Sequence, residues 1–193
     1  MTLKKLLISI AALALTLNIQ LAQAANPKVK LETSKGTMII ELYPDKAPKT
    51  VENFLAYVNA GAYDGTIFHR VIKDFMNQGG GFTPDYEKVD TREPIQNEAD
   101  NGLKNLKYTV AMARTGEPHS ATNQFFINTA DNAFLDYKSK SMRGWGYTVF
   151  GKVIEGQNIA GAISRVATGP GGPFAKDAPK VQIIINKMTE IKE

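Results

Sequence analysis

A chain of 193 residues suits a single domain, and its 43% hydrophobic and 22% charged residues are ordinary values for a globular protein. The formal net charge of +4 gives no indication of nucleic-acid binding, and the absence of cysteine excludes disulfides, a thiolate nucleophile and a cysteine metal site. With only two histidines, a histidine-rich metal centre is also excluded. The composition therefore predicts a folded domain that is stabilised by packing.

Residues 1–24 have the pattern of a signal peptide. Two lysines precede an apolar run that ends at about Leu17, and the segment closes on "AQA", which is typical of a signal-peptidase site. A membrane anchor is the alternative, but a spanning helix needs roughly 20 apolar residues and this run is shorter. We expect cleavage after Ala24, export to the periplasm without lasting membrane association, and a mature domain over residues 25–193 with a charge of about +2.

The mature chain begins with a predicted hairpin and a predicted helix. Apolar and polar residues alternate in "VKLETSKGTMIIEL" on both sides of a glycine turn, which indicates two antiparallel strands. The next segment, "APKTVENFLAYVNAG", has apolar residues at i, i+3, i+4 and i+7 from Val51. Pro48 near its start and Gly61 just past its end are typical boundaries of an amphipathic helix.

Short β-rich pieces dominate the chain from Thr66 onward. They are "TIFHRVI", "YTVAMAR", "NQFFINT", "YTVFGKVI" and "KVQIIINKMTEI". A second helix is predicted from about Gln157 to Arg165, where apolar residues recur at helical spacing. Many strands with only two helices favour a mainly β fold, namely a closed antiparallel barrel with helices covering its ends.

Two long connections are predicted without helix or strand, at residues 81–105 and 167–179. Structureless loops longer than about 12 to 15 residues are usually functional or mobile. No internal repeat and no long linker divides the chain.

The familiar catalytic motifs are missing from the sequence. There is no nucleophile elbow, no P-loop and no dinucleotide fingerprint, and the glycine runs at 78–81 and 169–172 are better interpreted as turns. The aromatic residues indicate a core and an apolar pocket rather than a platform for nucleic acid, because no basic stripe accompanies them. What remains is Arg70 within the apolar stretch "FHRVIKDFMNQGG", and the strand "NQFFIN".

On these motifs the chain resembles the cyclophilins, the family of peptidyl-prolyl cis-trans isomerases, and most closely their exported bacterial branch. The matching pieces are "APKTVENFLAYV", "FHRVIKDFMNQGG", "AMAR", "NQFFIN", "FLD" and "VFGKVIEG", which together span almost all of the mature chain. The resemblance implies an eight-stranded antiparallel barrel capped by two α-helices, in agreement with the strand count. It also implies a groove on the outside of the barrel that binds peptidyl-proline segments, and neither a metal nor a cofactor.

The resemblance further implies the roles of individual residues. Arg70 matches the family's catalytic arginine, with Phe75 and Gln78 in the same catalytic site. Phe75 would belong to the proline pocket and Gln78 would hold the peptide, whereas His69 is left out of the site. The residues that would bind the substrate are Met76, Ala113, Arg114, Gln124, Phe126, Phe134, Leu135 and Tyr147.

Three positions differ from the best-known eukaryotic members. Phe134 stands where those carry tryptophan and Tyr147 where they carry histidine, so we expect weak binding of the inhibitor cyclosporin. Arg114 replaces an asparagine that acts mainly through its backbone. The arginine and the proline pocket are unaffected by these differences.

Such a site needs no acid, base or nucleophile, because isomerisation breaks no bond. The alternatives to an isomerase of exported proteins are a proline-peptide binding module or chaperone, and a carbohydrate-binding or structural β-barrel. A monomer is the expected state.

Overall fold

The protein is described over residues 25–192 by a computed structural model, so the predicted signal peptide lies outside the described residues. Eight strands form one antiparallel sheet in the order β10-β1-β2-β7-β5-β6-β4-β3. These strands are β1 (Lys28–Thr33), β2 (Gly36–Leu42), β3 (Arg70–Ile72), β4 (Met76–Gly79), β5 (Thr109–Met112), β6 (Phe125–Asn128), β7 (Val149–Glu155) and β10 (Ile185–Ile191). A separate two-stranded hairpin consists of β8 (Thr168–Gly171) and β9 (Phe174–Pro179).

The hairpin predicted at the start of the mature chain is confirmed as β1 and β2. Alternate residues of both strands are buried, as expected for strands with one face on a core. Gly36 after the turn has a φ of 132°, a conformation that is strained for any residue with a Cβ.

Both predicted helices are present, as α1 (Pro48–Asn59) and α2 (Gln157–Ile163). Proline stands at the start of α1, where its missing N–H costs no hydrogen bond, and Gly61 follows the end with a φ of 66°. The second helix ends two residues before the predicted Arg165, because Ser164 is its C-cap.

The sheet is curled but open, so the prediction of a closed barrel is not confirmed, whereas eight antiparallel strands with two helices are. The two edge strands of the sheet, β10 and β3, do not pair with each other. They approach at one isolated bridge between Ile67 and Ile184, flanked by the hydrogen bond from the Phe68 N–H to the Ile183 oxygen at 2.9 Å. The sheet stays open because β3 has only three residues, which pair with β4. The contact toward β10 is made instead by the residues just before β3.

The main core lies inside the curled sheet, under α1. Phe54 of α1 is fully buried, and its ring lies 5.4 Å from Tyr63, 5.7 Å from Phe125 and 5.0 Å from Phe150, between ring centroids. Burying aromatic side chains of this size supplies a large share of the hydrophobic stabilisation.

A second, smaller apolar cluster lies on the opposite face of the sheet. Neighbouring residues of a strand point to opposite faces, so Phe125 of β6 belongs to the main core and Phe126 to the second cluster. The buried members of this cluster are Met76, Ala111, Phe126, Leu135 and Val149.

The two long connections are more ordered than predicted. Residues 168–179 form the β8–β9 hairpin, which was not predicted from the sequence because three glycines and three prolines interrupt the alternation. The other connection contains a short 3₁₀ helix at Ala99–Asn101 and a bridge from Ile95 to Ala121. Within residues 25–192, no helix is long and apolar enough to cross a membrane.

Candidate active site

One cavity of about 110 Å³ on the outer face of the sheet collects most of the predicted site residues. It is far smaller than the roughly 300 to 1,000 Å³ of pockets for drug-sized ligands, so it suits a single side chain. Nine predicted residues line it: Arg70, Phe75, Met76, Gln78, Ala113, Arg114, Phe126, Leu135 and Tyr147. Gln124 and Phe134 lie beside it.

Three adjacent strands bring the central residues together. Arg70 of β3 stands opposite Gln78 of β4, and Gln78 stands opposite Phe126 of β6. Residues that face each other across an antiparallel ladder project from the same side of the sheet. The arginine, the amide and the aromatic ring therefore form one row, although they are distant in sequence.

The floor of the cavity is apolar and nearly inaccessible to solvent. Met76, Phe126 and Leu135 are each less than 10% exposed, and the Tyr147 ring meets Phe126 edge to face at 5.7 Å between centroids. Exposed Arg70 atoms stand beside this floor, since 39% of that side chain is accessible. The site therefore combines an apolar recess with a permanent cation and hydrogen-bond donor.

Phe134 lies on the rim rather than in the cavity. It is 65% exposed, and its ring is 5.5 Å from Phe75 between centroids. The 3₁₀ helix Ala133–Leu135 turns its neighbour Leu135 inward to the cavity floor. The Asn132 side chain donates a hydrogen bond of 2.9 Å to the Phe75 oxygen, which holds this helix against the site.

Arg114 forms one wall and is fixed by several contacts. Its guanidinium stacks on the Tyr147 ring at 4.7 Å from the centroid, and its Nε donates to the Gly146 oxygen at 2.8 Å. A terminal nitrogen donates to the Thr115 oxygen at 2.9 Å. The side chain, and not only the backbone, therefore shapes the wall.

A second cavity of about 180 Å³ continues the groove past Arg114. Gln124 lies here, and its Oε1 accepts a hydrogen bond of 2.9 Å from the Gln78 Nε2. The lining is mostly polar and consists of Gln78, Ala113, Arg114, Thr115, Ser120, Thr122 and Gln124. Thr115, Ser120 and Thr122 were not predicted from the sequence, although their position between "AMAR" and "NQFFIN" could have indicated them.

His69 lies outside both cavities, in line with its exclusion from the predicted site. It is 1% exposed and lies between the rings of Phe82, at 4.7 Å, and Phe174, at 5.2 Å. Burial lowers the pKa of His69 to about 4, and the nearby positive charge of Arg70 acts in the same direction. His69 is therefore neutral at physiological pH.

Asp177 is a further residue at the site that the sequence analysis did not identify. Its Oδ2 lies 3.7 Å from the Nε of Arg70, and it is carried by β9 of the unpredicted hairpin. No local sequence pattern links these two positions. Among the described residues, no cluster of three or more histidine, aspartate or glutamate side chains could hold a metal ion.

Comparison with known proteins identifies the family. Residues 28–190 match the family model described as cyclophilin type peptidyl-prolyl cis-trans isomerase. The chain is 62% identical over 157 residues to a peptidyl-prolyl cis-trans isomerase of Streptomyces antibioticus, covering 81% of this chain and 94% of that one. It is also 52% identical over 161 residues to peptidyl-prolyl cis-trans isomerase B of Escherichia coli, covering 83% and 98% of the two chains.

A solved structure supports the same assignment. The cyclophilin type peptidyl-prolyl cis-trans isomerase of Cryptosporidium parvum, crystallised in the presence of the dipeptide Ala-Pro, superimposes with a TM-score of 0.68 at 27% sequence identity. The match covers 86% of this chain and 99% of that one. The resemblance to cyclophilins inferred from the sequence motifs is thus confirmed, and the chain belongs to the cyclophilin family of peptidyl-prolyl cis-trans isomerases.

Proposed function

We propose that the chain accelerates rotation about X-Pro peptide bonds, with Arg70 as the hydrogen-bond donor to the prolyl nitrogen. The observation that carries the proposal is the position of Arg70 at the edge of a small apolar cavity. The proline ring would fill that cavity, which brings the prolyl nitrogen to its edge. A binding module would need the cavity but not the donor.

The chemistry follows from the electronic structure of the amide. Resonance makes rotation slow, with a barrier of about 18 to 20 kcal/mol. In the twisted transition state the resonance is lost, so the nitrogen lone pair is free to accept a hydrogen bond. A fixed donor that meets this lone pair stabilises the transition state more than the ground state, which lowers the barrier.

The remaining residues would hold the peptide while its acyl side turns. Phe75, Met76 and Phe126 would pack around the proline ring of the substrate, and the Gln78 side chain would bind the backbone of the substrate peptide. The Ala113 N–H is already bonded to the Gln124 oxygen at 2.9 Å, so Ala113 would contribute its carbonyl group. Holding the ring and the flanking chain confines motion to the bond that isomerises.

The Arg70→Ala variant tests the proposal. Loss of one preorganised donor is expected to lower kcat/KM for a proline peptide by about 100- to 1,000-fold. The measurement is a stopped-flow or NMR isomerisation assay, with Arg92→Ala as the matched control because Arg92 is an exposed arginine away from the cavity. Equal rates for wild type and Arg70→Ala would show that the chain binds proline peptides without using this arginine in catalysis.

We also propose that the isomerase works on exported proteins during their folding in the periplasm. Support comes from residues 1–24, whose two lysines, apolar run and "AQA" are typical of a signal peptide. Fractionation of cells that express the full chain tests this, with mass spectrometry of the product. A cytoplasmic product that still begins before Ala24 would contradict it.

A further inference from the structure

An ion pair at the cavity edge joins Arg70 to the hairpin β8–β9. The Oδ2 atom of Asp177 lies 3.7 Å from the Nε of Arg70, with 22% of the Asp177 side chain and 39% of the Arg70 side chain exposed. Both groups are thus partly shielded from solvent, so their attraction is less screened than on an open surface. The contact is made through Nε, which leaves the two terminal nitrogens of the guanidinium for a substrate.

The backbone of β9 is distorted at the residue that makes this contact. Asp177 has a φ of 67°, in the left-handed region, where aspartate is one of the few residues other than glycine that is tolerated. The ladder pairs Gly169 with Ala178 and then Gly171 with Phe174, so Asp177 lies in a bulge. A bulge turns a side chain away from the direction that a regular strand would give it.

The β8–β9 hairpin packs against the segment of chain that carries Arg70. Phe174 of β9 stacks on His69 at 5.2 Å between centroids, and His69 directly precedes Arg70. The same Phe174 ring meets Phe82 edge to face at 5.2 Å. The position of Asp177 relative to Arg70 is therefore fixed by packing.

Two glycines allow the hairpin to lie close to the loop after β4. A Cβ atom at Gly171 or Gly172 would collide with the ring of Tyr86. Gly172 also has a φ of 49°. A side chain at this turn would lift the hairpin, and Asp177 with it.

We propose that Asp177 is a positioning residue, which holds the Arg70 guanidinium by its Nε so that the terminal nitrogens face the prolyl nitrogen. The inference rests on the proposed role of Arg70. An arginine side chain loses rotamer entropy when it is fixed, so a donor that is restrained before the substrate binds spares part of this cost in the transition state. The Asp177 carboxylate also weakens the positive field of Arg70 slightly. A guanidinium that is displaced from the prolyl nitrogen would lose far more of its stabilisation of the transition state than one whose charge is partly neutralised.

The Asp177→Asn variant tests the role with little change of shape. Asparagine tolerates the left-handed backbone, so the substitution removes the charge and retains the fold. We expect kcat to fall about two- to tenfold and KM to stay within about twofold, since the ion pair acts on the donor and not on the cavity. Asp74→Asn is the matched control, because Asp74 is also left-handed, with a φ of 55°, and exposed in the β3–β4 turn.

Two further readouts separate positioning from general stabilisation. In an Arg70→Ala background, assayed at high enzyme concentration, Asp177→Asn should cause no additional loss of turnover. The ¹⁵N–¹H resonance of the Arg70 Nε should shift and exchange faster with water in Asp177→Asn than in wild type. Unchanged kcat, an unchanged Nε resonance, or an equal loss in the Arg70→Ala background would each overturn the inference.

The Gly172→Ala variant tests the part played by the hairpin while Asp177 is intact. It should reproduce the fall in kcat and the change in the Arg70 Nε resonance, because the hairpin can no longer seat on Tyr86. Normal turnover with an unchanged resonance would overturn the claim that the hairpin positions Asp177.

Failure of the inference can be distinguished from failure of the proposed function. If Arg70→Ala retains wild-type activity, the proposed function fails, while the NMR comparison still shows whether Asp177 restrains Arg70. If Arg70→Ala loses activity and Asp177→Asn changes neither kcat nor the resonance, only the positioning role fails.

Discussion

At the scale of single residues, His69 and Arg70 show how one step along a chain changes the chemistry of a side chain. His69 is enclosed by aromatic rings, with its Nδ1 buried and without a hydrogen-bond partner within residues 25–192. Arg70 points to the cavity and keeps part of its side chain in solvent. His69 is thus kept neutral, while the residue assigned to catalysis, Arg70, keeps its guanidinium donors within reach of the cavity.

We expect His69 to make the fold less stable in acid. Its pKa is about 4 in the folded state and about 6.5 in an unfolded chain, so the unfolded state binds more protons between these values. The stabilisation is complete above about pH 6.5 and is lost as the pH falls toward 4, by about 2 kcal/mol at pH 5. Urea unfolding at pH 7 and pH 5 measures this for wild type and for His69→Gln.

The glutamine variant is the control, because it does not titrate and should show a smaller loss between the two pH values. An identical loss in both proteins would assign the effect to other groups. Turnover between about pH 6 and 8 should stay flat, since His69 remains neutral there.

Phe134 is the residue on which the prediction of weak cyclosporin binding depends. Its ring is exposed at the rim and can make apolar contacts but no hydrogen bond. Phe134→Trp adds an indole N–H and apolar area, and should strengthen cyclosporin inhibition about two- to tenfold. Leu106→Trp adds the same group at another exposed site and should leave inhibition unchanged. Equal inhibition of wild type and Phe134→Trp would show that position 134 does not face the inhibitor.

At the scale of elements, strand β6 separates folding from binding by its two faces. Phe125 is fully buried against Phe54 and Phe68 in the main core, whereas Phe126 lies in the floor of the cavity. The strand period of two residues makes both assignments possible in adjacent positions. A shift of the register by one residue would exchange them and destroy both the core and the site.

Substitution of each phenylalanine by alanine should therefore give different results. Phe125→Ala should lower the free energy of unfolding by about 3 to 5 kcal/mol, because it leaves a cavity in the core. Phe126→Ala should raise KM for proline peptides, since the ring of the substrate loses its main contact, and should cost less stability. Denaturant unfolding and steady-state isomerase kinetics on both variants test this. Equal losses of stability with unchanged KM would refute the division between the two faces.

At the scale of the whole molecule, a carboxylate far along the chain caps the first helix. The residue before α1 is Ala47, which offers no side-chain cap. Glu98 supplies it instead: its oxygens accept hydrogen bonds from the N–H groups of Lys49, at 3.1 Å, and Thr50, at 2.9 Å. The contact orders the long connection at residues 81–105 and places a negative charge at the positive end of the helix.

Glu98→Ala should lower the free energy of unfolding by about 1 to 2 kcal/mol, because two helix N–H groups lose their partner. Turnover should remain close to wild type, since Glu98 does not line either site cavity. Urea denaturation measures the effect, and Glu93→Ala is the control because Glu93 is exposed in the same connection. A stability equal to that of the control would show that the cap is dispensable.

The expected monomeric state of the protein stays a prediction, which analytical ultracentrifugation can test.

The local periodicity of apolar residues in the sequence was enough to predict several of the strands and helices of this protein. The alternation around Gly36 and the helical spacing from Val51 identified elements correctly, because side-chain periods of 2 and 3.6 depend only on neighbouring residues. The motifs around Arg70 and Phe126 identified the family and most of the cavity lining. These features are local patterns, so they can be recognised without coordinates.

Only the tertiary structure decided how distant segments meet. The open edge between β3 and β10, the seating of the β8–β9 hairpin, and the contacts of Asp177 with Arg70 and of Glu98 with α1 join residues far apart in sequence. Such contacts depend on the curl of the sheet and on the packing of loops against it, which no local period encodes. The sequence alone therefore identified the catalytic arginine candidate, whereas the fold decided which residue lies beside it.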